Sequence, residues 1–105
     1  MDAYVVYMTA ADRAEAEKIG RSLVERRLAA CVNILGEIGS IYWWEGRVQS
    51  ANEVAFLAKT TGDKVEALMT AVKSLHSYEV PCVVALPIGH GLPDFLAWIE
   101  TETRT

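Results

Sequence analysis

Residues 31–44, Cys-Val-Asn-Ile-Leu-Gly-Glu-Ile-Gly-Ser-Ile-Tyr-Trp-Trp, are β-branched, aromatic or small and carry no helical period, so they read as one extended strand. Fourteen extended residues span ~45 Å at about 3.3 Å each, against about five or six residues in a typical strand. Glu45-Gly46 turns the chain, and Arg47 to Thr60 returns with Val54, Phe56 and Leu57 as its apolar centre, which makes a β-hairpin. Gly36 and Gly39 are the expected sites of bulges or bends. A hairpin this long overhangs its own domain. Its tip, Ile41-Tyr42-Trp43-Trp44, puts large apolar groups on both faces, and a single chain covers at most one of them. Exposed patches of that kind mark subunit contacts, so Tyr42, Trp43 and Trp44 are candidate interface anchors; a tip folded back on its own sheet is the alternative.

The flanking segments complete one fold class. Residues 3–9 are too short for a stable helix and apolar on both faces, as in a central strand. Asp12 followed by Glu15 is an acidic variant of the capping box, and Ala16, Ile19, Leu23 and Val24 give an amphipathic helix to about Leu28, with Gly20 pointing to close packing. From Asp63 the set Val65, Leu68, Met69, Val72, Leu75 has the cleanest helical period in the chain and ends near His76. Pro81 opens a fourth strand closed by Gly89 and Gly91, and Pro93 starts a short terminal helix. Two βαβ halves joined through a hairpin predict an α+β, ferredoxin-like split βαβ sandwich: an antiparallel sheet of order 4-1-3-2 with both main helices on one face.

Length and charge remove several functions. With 105 residues the chain holds one domain spanning 1–105, and 51% hydrophobic with 23% charged residues exclude a disordered protein. A formal charge of −4 and the absence of any Lys/Arg run argue against nucleic acid as a partner. No basic leader and no long apolar run argue against a membrane, so the expected location is cytoplasmic. Two cysteines without CxxC spacing read as free thiols. No catalytic constellation is expected: Ser77 beside His76 lacks an orienting acid, and an acylphosphatase-type anion loop needs glycines that Thr9-Ala10-Ala11-Asp12-Arg13 does not have.

The strand order also decides which residues meet. Met8 ends the first strand beside Cys82 at the start of the fourth, with His76 above both, whereas Cys31 lies at the other end of the opposite edge beside Lys59. No bridge between Cys31 and Cys82 is expected.

Ala29-Ala30-Cys31-Val32-Asn33-Ile34, Ser40-Ile41-Tyr42-Trp43-Trp44-Glu45-Gly46, Leu57-Ala58-Lys59-Thr60-Thr61, His76-Ser77-Tyr78-Glu79-Val80-Pro81 and Leu86-Pro87-Ile88 closely resemble the CutA divalent-cation tolerance family, and together they cover nearly the whole chain. The resemblance implies a homotrimer similar in architecture to PII signalling proteins and linked to tolerance of copper and other divalent metals. It associates copper with Cys in some members where this chain has Met8, and with a His-His pair where it has Leu75-His76; a family carboxylate is replaced by Cys82.

The metal candidates are therefore His76, Cys82 and Met8, whose thioether, thiol and imidazole form a soft set suited to copper as Cu(I), with no organic cofactor. Each has a plain structural alternative, as a helix-end histidine or a core side chain. Cys31, Lys59, Tyr78 and Glu79 are candidates for an intersubunit cleft, which in a PII-like binding module would hold a small anionic ligand or a protein partner. Metal ions and further copies of the chain are the expected partners.

Overall fold

The computed structural model describes residues 2–104. The elements run β1 (Ala3–Ala10), α1 (Arg13–Glu25), β2 (Cys31–Trp44), β3 (Arg47–Thr61), α2 (Val65–Leu75, entered through a 3-10 turn at Gly62–Lys64), β4 (Val83–Pro87) and α3 (Pro93–Thr103). The sheet order is β2-β3-β1-β4, with every neighbouring pair antiparallel. This is the ferredoxin-like arrangement that the two βαβ halves predict.

Alternation in the strands sends Val6, Met8 and Ala10 of β1 and Val54, Phe56 and Ala58 of β3 to one face, where they pack with Ile19 and Leu23 of α1 and Leu68 and Val72 of α2. α1 approaches β2 so closely that a Cβ on Gly20 would stand 2.8 Å from Val32 Cγ1. That contact explains a residue costing the helix about 1 kcal/mol relative to Ala. The helix stops before Leu28, short of its expected end, because Arg27 takes a φ of 58° and the Leu28 and Ala29 amides turn back to the Leu23 carbonyl at 2.9 and 3.2 Å. α3 lies on the other face of the sheet, where Ile99 joins Ala3 and Ala30. The Arg27 guanidinium holds the end of α3 by donating to the Glu102 carbonyl at 2.9 Å.

Two local expectations need correction. Gly36, at φ 125°, makes a bulge where the β2–β3 register slips, but Gly39 pairs regularly with Asn52. Cys82 precedes β4 rather than opening it. The overhang is as expected: β1 ends opposite Val54, so residues 38–44 and 47–53 pair only with each other. The hairpin sets the longest dimension, 44 Å. Glu45 and Gly46 close it with φ of 51° and 76°, the positive values that a tight two-residue turn requires. Ile41 and Trp43 are 79% and 73% exposed.

At the upper end of the sheet a polar staple joins three elements. Asp12 Oδ1 accepts the Glu15 amide at 2.8 Å, and Glu15 Oε1 accepts the Ala11 amide at 2.9 Å, so the acidic cap forms. Glu15 Oε2 then accepts the Ser77 amide at 2.8 Å, tying α1 to the α2–β4 loop. Burial works to raise the Glu15 carboxyl, but the hydrogen bonds from Ala11 and Ser77 outweigh burial and hold it below its ordinary 4.5. A depressed carboxyl contributes stability above its unfolded value and loses it as pH falls through the folded one. Glu15→Gln is expected to cost about 1.5–3 kcal/mol at pH 7, the range for hydrogen bonds to a charged group, with the deficit shrinking as the medium is acidified below the ordinary carboxylate range. Urea unfolding at one protein concentration, repeated across acid pH, checks this; parallel pH profiles for the two proteins would contradict it.

Candidate functional site

His76 caps the end of α2, its amide bonded to the Val72 carbonyl at 2.9 Å. Its side chain has no solvent exposure. Nε2 lies 2.7 Å from the Thr9 carbonyl, and the Tyr78 amide donates to Nδ1 at 3.0 Å. A carbonyl only accepts and an amide only donates, so these partners assign the neutral tautomer with hydrogen on Nε2. Both ring nitrogens are thereby engaged in joining β1 to the α2–β4 loop.

The other two candidates for soft ligation differ in access. Met8 is fully buried in the core, paired in register with Phe56 on one side and Val83 on the other. Cys82 is half-buried beside that strand end. Burial first, and the Glu53 carboxylate second, push its thiol up. The fold does bring Met8, His76 and Cys82 to one end of the sheet, as the strand order requires. It does not aim three free donors at one point: Met8 is sealed, and a metal on His76 would have to displace the Tyr78 amide or the Thr9 carbonyl. Among the described residues no three His, Cys, Asp or Glu side chains group for a metal ion.

The four cleft candidates divide into two pairs within one chain. Cys31 begins β2 opposite Lys59, whose Nζ donates to Asn33 Oδ1 at 2.7 Å and lies 5.7 Å from the Phe95 ring centre. Tyr78 stands at the other end, its ring tilted at 50° against His76 with centres 4.6 Å apart, and donates its hydroxyl to Glu53 Oε2 at 2.9 Å. Burial, then that bond, pushes the Tyr78 phenol up. Glu79 is exposed, and its carbonyl accepts from Lys73 Nζ at 3.2 Å. Glu53 and Lys59 are separated along β3 by ~20 Å at about 3.3 Å per residue, so the two pairs are distant within one chain. Cys31 and Cys82 are free thiols at opposite edges of the sheet.

Glu53 escapes the sequence analysis, although it is buried and contacts Tyr78. A signal was available: it is a lone carboxylate on the same strand face as Ala55 and Leu57, an otherwise apolar stripe. The long-range role of Glu15 had none, because a capping residue is explained locally.

A family model described as CutA1 divalent ion tolerance protein matches residues 4–102. The divalent-cation tolerance protein CutA of Archaeoglobus fulgidus is 46% identical over 95 residues, covering 90% of this chain and 92% of that protein. The chloroplastic CutA of Arabidopsis thaliana is 44% identical over 100 residues, which are 95% of this chain but 55% of that longer protein. Among solved structures, that of CutA from Xylella fastidiosa superposes with a TM-score of 0.95 at 39% identity, covering 99% of this chain and 100% of the other. The structure of the Archaeoglobus fulgidus protein, described there as periplasmic, gives 0.94 at 43% identity over 97% of this chain and 99% of that one. With the hairpin, the sheet order and the polar staple all in place, the chain belongs to the CutA1 divalent ion tolerance family.

Proposed function

We propose that this chain is a non-catalytic, homotrimeric protein of divalent-cation tolerance, acting in the cytoplasm and meeting copper through Cys82. The observation that carries the assembly is the uncovered apolar surface. The hairpin tip exposes Ile41, Trp43 and Val48, and the sheet face away from α1 and α2 exposes Val84 and Leu86 at 49% and 52%. A free two-stranded ribbon is marginal in water, and patches of this kind are normally covered by other subunits. Three copies is the number that the family resemblance implies. The tolerance role rests on the relatives, which are named for it.

Of the three soft donors, Cys82 alone combines a metal-binding atom with partial exposure and no competing hydrogen bond among the described residues. A thiolate prefers Cu(I), so copper is the ion to test. His76 and Met8 then serve as the rigid wall behind the thiol rather than as ligands. The non-catalytic reading is supported by His76, whose two nitrogens are both engaged and leave no free base beside Ser77. Two unbridged thiols suit a reducing compartment. No helix among the described residues is long and apolar enough to cross a membrane.

Light scattering at micromolar concentration is expected to give a mass near three times 11.6 kDa. Trp43→Ala should weaken assembly by about 2 kcal/mol or more, the usual loss at a buried aromatic anchor. A stable wild-type monomer would overturn the assembly. For the metal, competition against a Cu(I) chelator under reducing conditions is expected to show Cys82→Ser weakening binding while Cys31→Ser and His76→Ala leave it near wild type. Equal binding by wild type and Cys82→Ser would remove Cys82 from the account.

A further inference from the structure

Alternation along β3 turns Glu53, Ala55, Leu57 and Lys59 to the sheet face opposite α1 and α2, since Val54, Phe56 and Ala58 pack against those helices. This is the face on which Val84 and Leu86 stand exposed. The β3 stripe across it is thus apolar in the middle and carries one charge at each end, of opposite sign. Lys59 Nζ donates to Asn33 Oδ1 at 2.7 Å and lies 5.7 Å from the Phe95 ring centre. Glu53 is 9% exposed and accepts the Tyr78 hydroxyl at 2.9 Å. Among the described residues neither charge takes part in an ion pair. They are ~20 Å apart along the strand at about 3.3 Å per residue, well beyond what the two side chains span, so they cannot pair within one chain.

A charge on a face that subunits cover loses its water, and buried charges are ordinarily paired. Three identical copies closing a ring meet heterologously: each presents one patch to the next copy and a different patch to the previous one. The two ends of this face are such patches. A register that set like end against like end would bury two ammonium groups or two carboxylates together, which costs several kcal/mol by the usual penalty for juxtaposed like charges. The opposite register sets the Lys59 end of one copy against the Glu53 end of its neighbour and neutralises both, with Ala55 and Leu57 between them left to apolar contact.

We propose that the copies dock head to tail through this face, with Lys59 of each chain paired to Glu53 of the partner subunit. The pair rests on the trimeric reading and adds to it which ends meet. A double-mutant cycle tests it, because sites more than about 10 Å apart without shared partners contribute independently, so coupling between these two residues has to cross from one copy to another. Lys59→Gln and Glu53→Gln, the second keeping an acceptor for the Tyr78 hydroxyl, are each expected to weaken assembly. The readout is urea unfolding over a series of protein concentrations, with light scattering for the mass. The double variant is expected to assemble about tenfold better than the product of the two single losses, since removing the second charge relieves one already left unpaired. A comparison cycle of Lys59→Gln with Glu79→Gln, at an exposed carboxylate outside the stripe, should show no coupling. Where Glu53→Gln does not fold, Glu53→Asp keeps the charge and the acceptor, draws the carboxylate back by one methylene and takes its place in the cycle, with a smaller coupling of the same sign. A wild-type monomer would remove the trimeric reading and the pair with it. A wild-type trimer in which the single losses simply multiply, or in which Lys59 couples to Glu79 instead, would overturn the pair and leave the trimer standing.

Discussion

The antiparallel pairing of β2 with β3 is the constraint on which the rest of the molecule depends. β3 is the only strand paired with both β2 and β1, and β1 in turn carries β4. One half of the hairpin therefore belongs to the domain, where Val32, Ile34, Phe56 and Ala58 meet the helices. Among the described residues, the other half has no strand beside it and no helix beneath it. The bulge at Gly36 marks the change between the two, since it inserts a residue where supported sheet becomes free ribbon. A two-stranded ribbon in water gains too little burial to offset the backbone entropy of ordering it. Its tryptophans are thus apolar surface that the chain's own elements leave uncovered, the surface that the proposed assembly would bury.

At the upper end of the sheet two carboxylates show opposite solutions to burial. Glu15 takes amide donors from Ala11 and Ser77, and that excess of donors lowers its proton affinity. Glu53 takes a single phenol, and its charge adds to the burial that first of all raises Tyr78 and Cys82. The first arrangement is structural, because its acceptors are used by the backbone. The second fixes the Tyr78 ring through a single hydrogen bond. His76 falls with the first group: its imidazole joins β1 to the loop through one donated and one accepted hydrogen bond. A histidine at a helix end thus acts as a joint, the plainer of the two roles its position allowed.

The sheet order, the two main helices and the overhang were legible because each follows from a strong local pattern. The stripe from Val65 to Leu75, the turn at Glu45-Gly46 and the length of the run from Cys31 to Trp44 each admit essentially one reading. Gly20 was legible too, as a residue whose helical cost required a close neighbour, and Val32 is that neighbour. Gly39 was not, because a glycine can mark a bulge or simply pair, and only the register separates these. The site was read by position but not by access. Strand order could bring Met8, His76 and Cys82 to one end, yet whether a nitrogen is free depends on the Thr9 carbonyl and the Tyr78 amide, which no spacing encodes. Glu53 shows the same limit in reverse: its burial comes from tertiary packing around a hydrophilic residue in a strand.

Amide hydrogen exchange along the hairpin tests the dependence of the ribbon on other copies most directly. At micromolar concentration, the amides of residues 41–48 are predicted to exchange slowly in wild type, approaching the protection of the central β1–β3 pairs, and to become fast in Trp43→Ala while those central pairs stay protected. Fast exchange of residues 41–48 in wild-type protein with a protected centre would contradict the account, since the ribbon would then be a free arm rather than a buried part of an assembly.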